Sequence, residues 1–444
     1  MRTKQMKYPN LLNRSIFTIP ADEFSDEQFL IYAPLTDFVM LTNSYRLKEL
    51  ESAIEKEGSD NEEISSLLDR LQNIELFGKD KYLIKKPDDY LLLYILPNYK
   101  CNFSCAYCFS AKGRSNKEID KGKLKIMLDY FIDSKRIQEK KLFITFLGGG
   151  EPMLSWKIVK YGIEYANSLA ETKNIQLIME IVTNGSKLNE DMLETLVKYN
   201  VQVRISFEIL EDIQNFQRGQ YDEVCKTIRR LTEVNLHLEV RSMITLLNVE
   251  RMEEMVITLI NRFPEIGYYL FDPITDKTTF NDEETTKLFC KKYQHHFFRA
   301  MDIAQQHGKQ LKCAPLHNLS SIVERYCFGE LCLTPEGTIT ICHRVSSPAD
   351  PNYQNCIYGK INEANQVEFD YEKYKQLMHS DTIYDNPGCN HCFVKWNCGG
   401  GCMVHNKEYA PEIRRIFCEF TREFSKEVLL RRVKKVVENS LNSI

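Results

Sequence analysis

No stretch of this chain approaches the roughly 18 consecutive apolar residues of a membrane-spanning helix. The N-terminal "MRTKQMKYPNLLNRSIFTIPADEF" lacks the apolar centre and small-residue cleavage site of a secretory signal. These two absences point to a cytoplasmic protein with no membrane partner. An excess of one charge is missing too. The 58 Lys and Arg face 62 Asp and Glu, a formal net charge of −4, so no overall field draws the chain to nucleic acid. The basic "RRVKKVVENS" from Arg431 reads as the solvated face of a helix. There is no internal repeat and no low-complexity segment. Hydrophobic content of 43% and charged content of 27% describe a globular protein, and 444 residues suffice for two or three domains.

Cysteine is abundant. Disulfides are disfavoured in the cytoplasm, so clustered cysteines there indicate metal binding or catalysis. Of fifteen cysteines, three lie at 101–108 and ten between 313 and 418. Cys225 and Cys290 stand apart, in helix-like segments, and read as small buried hydrophobes.

Pattern divides the chain into three parts. Over residues 86–310, apolar strand-like runs alternate with amphipathic stretches. The strands are "YLLLYILPN", "LFITFLGGG", "IQLIMEIVTNG", "VQVRISFEI", "LHLEVRSMI" and "IGYYLFDPI". Six βα units imply a parallel sheet covered by helices, a partial (βα)6 TIM barrel that is two units short of closure. Residues 1–85 read as a small α+β module of three short strands and two helices, the first helix capped by Asn43 or Ser44. Residues 311–444 lose this periodicity. Such a segment should hold little apolar core and depend on metal clusters for stability.

"YKCNFSCAYCFSAKG" places Cys101, Cys105 and Cys108 in C-x3-C-x2-C spacing on the loop after the first barrel strand. A 4Fe-4S cube has four iron corners, so three thiolates leave one open, and an open metal position is where chemistry occurs. The loop lies at the C-terminal mouth of the barrel, where active sites assemble. A zinc knuckle would need a fourth ligand, which "NFS" and "AY" do not supply.

This loop, with Tyr107 before its last cysteine, resembles the radical S-adenosylmethionine (SAM) superfamily. "LGGGEP" (Leu147–Pro152), at the second strand's end, resembles the family's glycine-rich motif. That likeness implies that backbone at Gly149 and Gly150 holds the SAM amino group, with Glu151 helping to balance its charge. "VTNG" implies a SAM-site role for Thr183, and "RISFEI" implies Ser206. The family's usual "DG" is absent here, where Glu208 and Ile209 stand. "NFQRGQYDEV" resembles a segment whose arginine, here Arg218, would take the SAM carboxylate. The resemblance implies that Cys101, Cys105 and Cys108 carry a catalytic cluster whose free iron chelates SAM. One-electron reduction would then yield methionine and a 5′-deoxyadenosyl radical.

Further on, Cys327-x9-Gly337-x4-Cys342, then Cys389-x2-Cys392-x5-Cys398-x3-Cys402, then Cys418, resembles the SPASM domain of radical SAM peptide modifiers. The likeness implies two auxiliary 4Fe-4S clusters, three in all. Cys327, Cys342 and Cys402 would hold the first, and Cys389, Cys392, Cys398 and Cys418 the second. Where relatives place a further cysteine, this chain has Ser321 and Ile322, so the first auxiliary cluster has an open iron or uses Cys313, Cys332 or Cys356.

"FLIYAPLTDFVMLTNSYRLKELES" resembles the winged-helix-like leader-recognition module of ribosomal-peptide maturases. Together these likenesses imply a peptide maturase that binds the leader of a small ribosomal precursor. It would form a cyclophane carbon–carbon bond or a thioether, with a flavodoxin- or ferredoxin-type electron donor. The alternatives are a sulfatase-maturing, formylglycine-generating enzyme and a non-catalytic leader-binding scaffold or electron carrier. Asp272, ending the sixth strand in "LFDPIT", is the acidic candidate for general base.

Overall fold

The computed structural model describes residues 4–5, 15–25, 27–56, 58–73, 86–136 and 139–441. The boundary expected near residue 85 lies outside them. The N-terminal part is a four-stranded antiparallel sheet, β1 (Lys4–Gln5), β2 (Phe17–Pro20), β3 (Gln28–Ala33) and β4 (Phe38–Asn43), in that spatial order. Helices α1 (Ser44–Glu55) and α2 (Glu62–Asn73) follow. Asn43 is the N-cap of α1, accepting from the Arg46 N–H at 2.9 Å. Alternation sorts the strands onto two faces. Ile31 and Ala33 meet Leu50, Ala53 and Ile64 of the helices, while Ile19, Leu30 and Tyr32 face the other way.

All six expected barrel strands form. They are β5 (Leu92–Ile95), β6 (Lys141–Phe146), β7 (Gln176–Thr183), β8 (Gln202–Ser206), β9 (Leu238–Ile244) and β10 (Tyr268–Pro273), each parallel to the next. The crossovers are helical: α3 (Lys121–Phe131), α4 (Trp156–Thr172), α5 (Glu190–Lys198), α6 (Glu211–Gln217) with α7 (Tyr221–Glu233), and α8 (Met252–Arg262). Asp120 and Asn189 cap the starts of α3 and α5. The core lies between strand residues such as Ile144 and Ile205 and helix residues such as Met127 and Ile163. Cys225 and Cys290 are buried there at 2% and 6% exposure, as small apolar side chains.

The sheet extends beyond six strands. After α9 (Glu283–Gln306), β11 (Gln310–Lys312) adds parallel to β10, across the boundary expected at residue 310. At the other edge β12 (Leu331–Leu333) adds parallel to β5, and β13 (Thr338–Thr340), β14 (Ile357–Ile361) and β15 (Val367–Phe369) continue antiparallel. The eleven strands do not close, since β11 and β15 remain at the two ends. Gly337 makes the β12–β13 turn with φ +83°, a conformation glycine tolerates.

Two expectations about the C-terminal part are corrected. It is not poor in core: Leu331, Leu333, Ile339 and Tyr358 join the barrel's own apolar cluster. The basic segment from Arg431 is not simply a solvated face. It belongs to a helix, Pro411–Leu441, in which Leu429, Leu430 and Val433 are buried against the N-terminal sheet. Arg431 pairs with Asp302 at 2.6 Å and Arg432 with Asp37 at 2.8 Å. The same helix locks onto α9 through Phe420 and Phe424, whose rings lie 4.8–6.4 Å from those of Tyr293, Phe297 and Phe298. Such pairs add about 0.5–1.5 kcal/mol each beyond area burial. Local periodicity shows that a face is apolar but not what covers it.

Candidate active site

The C-terminal ends of β5–β10 open into a cavity of about 1140 Å3. Cys101, Cys105 and Cys108 line it as free, partly buried thiols. Burial pushes the Cys101 and Cys105 thiols up, with Arg218 pulling Cys105 back. Among the described residues, no three His, Cys, Asp or Glu donors converge as a single metal ion requires. A cube holds its thiolates at separate iron corners, so its cysteines need not share one point.

The glycine-rich loop is pressed against the cysteine loop. Gly149 has φ +85°. A Cβ on Gly150 would lie 2.0 Å from the Lys100 carbonyl oxygen and 2.3 Å from Asn98 Oδ1, whereas one on Gly148 would meet nothing within 4 Å. Gly148 therefore leaves backbone open to close approach from the cavity, and Gly150 permits the two loops to touch. The Glu151 N–H donates to the Lys100 oxygen at 2.5 Å.

Glu151 does more than sequence reasoning assigned. Its Oε1 accepts from Thr183 Oγ1 at 2.6 Å and the Met153 N–H at 3.0 Å, and its Oε2 from the Asn184 N–H at 2.7 Å. It ties the glycine loop to the loop after β7, and Thr183 serves that tie. Burial raises the Glu151 carboxyl, and these donors work against the rise. Asn184 Nδ2 lies 4.0 Å from the Cys101 sulfur. Asn98, wholly buried, binds the Glu151 carbonyl and Ser155 Oγ at 2.9 and 2.6 Å. Sequence reading passed over Asn98, because one asparagine in a turn carries no distinguishing signal.

Tyr107, Glu208 and Arg218 form one buried cluster. The Tyr107 hydroxyl donates to Glu208 and accepts from Arg218 Nη1 at 2.9 Å. Glu208 also accepts from Ser242 Oγ at 2.6 Å and the Met243 N–H at 3.1 Å, and Arg218 lies 3.8 Å from it. Burial raises the Glu208 carboxyl, opposed chiefly by Arg218. Burial also works against the Arg218 charge, but Tyr107, Cys105 and Glu208 outweigh it. Arg218 keeps one buried N–H, at Nε, without a partner. The residue after Glu208, Ile209, has φ +69°. Sequence reading saw only a missing "DG"; the structure has a β-branched residue in a left-handed conformation there, a strained arrangement. Ser206 ends β8 and lines the cavity.

The C-terminal cysteines have identifiable thiol neighbours. After burial and Glu330, the Cys342 thiol is raised by Cys327 and then, behind a backbone hydrogen bond, by Cys402. Burial pushes Cys398 up to about 12, with Cys418, Cys392 and Cys389 adding to it. Burial, then Cys392 and Cys418, push Cys389 up to about 11. Of the three spare cysteines, Cys332 is the one beside Cys342. Cys313 instead adjoins Tyr293 and Asp272, and Cys356 adjoins Asp350.

Asp272 lines the cavity but is engaged at both oxygens, with Arg241 Nε at 2.8 Å and the Ala314 N–H at 2.8 Å. It anchors the chain after β11 to the end of β10.

The residues fit the groups the motifs imply. Three free thiols stand at a cavity mouth, a glycine backbone is open beside them, and a buried guanidinium has a donor to spare. The chain is 22% identical over 325 residues to the radical SAM cyclopropyl synthase TigE of Paramaledivibacter caminithermalis, covering 68% of this chain and 66% of that one. Its fold superposes on anSMEcpe with bound S-adenosylmethionine at TM-score 0.63 and 15% identity, covering 78% of this chain and 100% of the other. It superposes on Streptococcus suis SuiB bound to S-adenosylmethionine at TM-score 0.52 and 17% identity, covering 86% and 94%. The model of the Radical SAM superfamily matches residues 95–259, from the last residue of β5 into α8, and this part of the chain is a radical SAM domain.

Proposed function

We propose that this enzyme is a radical SAM peptide maturase that makes an oxidative cross-link, carbon–carbon or thioether, in a small ribosomal precursor. The observation carrying this reading is that one cavity is lined both by the Cys101–Cys108 loop and by Cys389, Cys392, Cys398, Cys402 and Cys418. Initiating and auxiliary clusters would thus flank one substrate space, as suits removal of an electron after a bond forms. With SAM bound, the reduced cluster would supply a radical able to abstract hydrogen from an unactivated carbon.

The chain's own residues do the rest. Cys101, Cys105 and Cys108 would hold the first cluster. Cys327, Cys342 and Cys402 would hold the second cluster, and Cys389, Cys392, Cys398 and Cys418 the third. The Gly149–Gly150 backbone and Ser206 would bound the SAM site. Arg218, fixed by Tyr107 and Glu208, would offer its guanidinium to the SAM carboxylate, while Glu151 and Thr183 hold the loops together. Asp272 is the acidic group for proton removal, held in place by Arg241 and the Ala314 N–H.

The N-terminal module suits a leader peptide. Among the described residues β4 is the last strand of its sheet, beside a groove of about 340 Å3 between the sheet and α2. An extended peptide can add there as a strand, with side chains entering the groove past Phe38, Met40 and Leu67. Residues 1–85 would then be the recognition module, 86–310 the radical SAM barrel and 311–444 the SPASM domain. A flavodoxin- or ferredoxin-type protein would supply the electron. TigE is a radical SAM cyclopropyl synthase, and SuiB binds S-adenosylmethionine and a precursor peptide, SuiA, which supports this reading.

The test is anaerobic incubation of reconstituted enzyme, SAM and reductant with the product of a short reading frame adjoining its gene. Expected are 5′-deoxyadenosine and a peptide lighter by two hydrogens. Conversion of a sulfatase peptide's Cys or Ser to formylglycine instead would establish the sulfatase-maturing alternative. No 5′-deoxyadenosine under any condition would leave the scaffold or electron-carrier reading. Ser66→Trp, which fills the groove from an exposed position on α2, should weaken binding of a labelled leader in fluorescence anisotropy.

A further inference from the structure

In the cavity that Arg218 lines, two further buried donors stand without partners. Arg344 lies two residues past Cys342 and lines the cavity. Its Nη1 donates to His405 Nε2 and to Thr275 Oγ1, the latter at 3.1 Å, and its guanidinium sits 5.4 Å from the Phe109 ring centroid. Its Nε is buried and unbonded, and among the described residues no carboxylate pairs with it. Tyr409 lines the same cavity at 7% exposure, and its hydroxyl too is buried and unbonded. The two groups are neighbours. Burial raises the Tyr409 phenol, and Arg344 is the first influence working against that. Asp276 is also near Tyr409, but its Oδ2 already accepts from Thr278 and from Thr279 N and Oγ1. His405, its imidazole lowered to about 3 by burial and then by Arg344, can accept a hydrogen bond from Arg344 but carries no negative charge to balance it.

A buried guanidinium N–H and a buried phenol O–H left unbonded cost free energy unless an acceptor arrives. Carboxylate oxygens accept from such a pair with charge assistance. The SAM carboxylate already has a candidate in Arg218. We infer that Arg344 and Tyr409 form a subsite for a carboxylate of the peptide substrate, an acidic side chain or chain terminus beside the residue that reacts. Thr275 follows β10 and Phe109 follows Cys108, so the subsite joins the barrel mouth, the cysteine loop and the C-terminal domain. A carboxylate bound there would set which substrate carbon faces the first cluster. The inference rests on the peptide-maturase reading.

The test is equilibrium dialysis of anaerobically reconstituted enzyme, with SAM present, against 14C-labelled acetyl-Gly-Asp-Gly-amide and acetyl-Gly-Asn-Gly-amide. Wild type should retain the Asp peptide about tenfold more tightly, the effect of one charge-assisted hydrogen bond. Tyr409→Phe and Arg344→Gln should each erode that preference while leaving iron content and SAM retention unchanged. Tyr409→Phe keeps shape and packing, so it reads the subsite even if Arg344→Gln disturbs the fold. Equal retention of the two peptides, no saturable binding of either, or loss of SAM in place of the Asp preference would overturn the inference. A preserved Asp preference with no precursor turned over would count against the maturase reading alone.

Discussion

Replacing Gly150 by Ala should remove iron from the first cluster while replacing Gly148 should not. The added methyl would lie 2.0 Å from the Lys100 oxygen, 2.6 Å from the Lys100 nitrogen and 2.3 Å from Asn98 Oδ1. Real Cβ atoms essentially never approach heavy atoms closer than 3.0 Å, so the strand of chain before Cys101 must retreat by at least about 1 Å. Because two of those atoms are backbone, no rotamer change relieves the clash. The retreat also lengthens the Glu151-to-Lys100 hydrogen bond. Overpacking of this kind costs about 1–3 kcal/mol, and a weakened buried hydrogen bond about 1 more. The cost falls on the residue next to Cys101, so it appears as cluster loss as well as a lower melting temperature. Iron determination, the low-temperature EPR signal of the reduced protein and 5′-deoxyadenosine release would read it. Gly148→Ala, with open space around its new methyl, should keep both iron and melting temperature. A Gly150→Ala protein with full iron and wild-type SAM cleavage would refute the role of loop contact in holding the cluster.

Glu208→Gln should leave Arg218 buried without its anionic neighbour, destabilising the protein by about 3–5 kcal/mol and raising the KM for SAM; unchanged melting temperature and KM would show that Tyr107 alone fixes Arg218. Tyr32→Phe removes the 2.9 Å bond to Asn397 Oδ1 across the interface between the N-terminal sheet and the cysteine loop, and should cost about 1–3 kcal/mol in thermal melts. Replacing Cys101, Cys105 and Cys108 together by Ala should lower iron from about twelve to about eight per chain and abolish SAM cleavage; zinc in place of iron would sink the cluster assignments. His405 has a folded value near 3 against an ordinary value of 6.5, so its contribution is present above pH 6.5 and is lost as pH falls towards 3. At pH 5 the metal-free, reduced chain should therefore have lost about 2 kcal/mol relative to a His405→Gln variant, read as a crossing of their melting curves between pH 7 and pH 5.

The barrel strands were legible because parallel strands buried on both faces are continuous apolar runs, and "LFITF" or "IQLIMEIV" cannot be mistaken for loops. The cysteine motifs could be read because spacing survives in the chain whatever folds around it. What escaped notice depends on partners distant in sequence. Glu208 becomes a hub only when Tyr107 and Ser242 reach it, from opposite directions along the chain. The φ of Ile209 is invisible in the letter I, which argues against it. β12 is three residues long, too short to show a period, and it forms because β5 offers an unpaired parallel edge. The helix from Pro411 alternates charge and aromatics in a way that suggests water on one side, and only α9 and the N-terminal sheet reveal how much of it is covered.

That last helix has a consequence for how the protein is made. Tyr32 meets Asn397 across 365 positions of chain, and Leu30 packs with Leu429 and Leu430. During synthesis the N-terminal sheet emerges early, and among the described residues the side chains that cover its second face, such as Phe393, Leu429 and Val433, are encoded near the other end of the chain. Closure waits until the Cys389–Cys402 loop and the helix beyond it have left the ribosome. Contacts of such separation form slowly, because loop-closure entropy must be overcome first. An aggregation-prone interval is therefore built into biosynthesis, and it lengthens whenever iron delivery to that cysteine loop is delayed. Expression in iron-starved cells should yield inclusion bodies in which the barrel is intact and the N-terminal sheet has found the wrong neighbour.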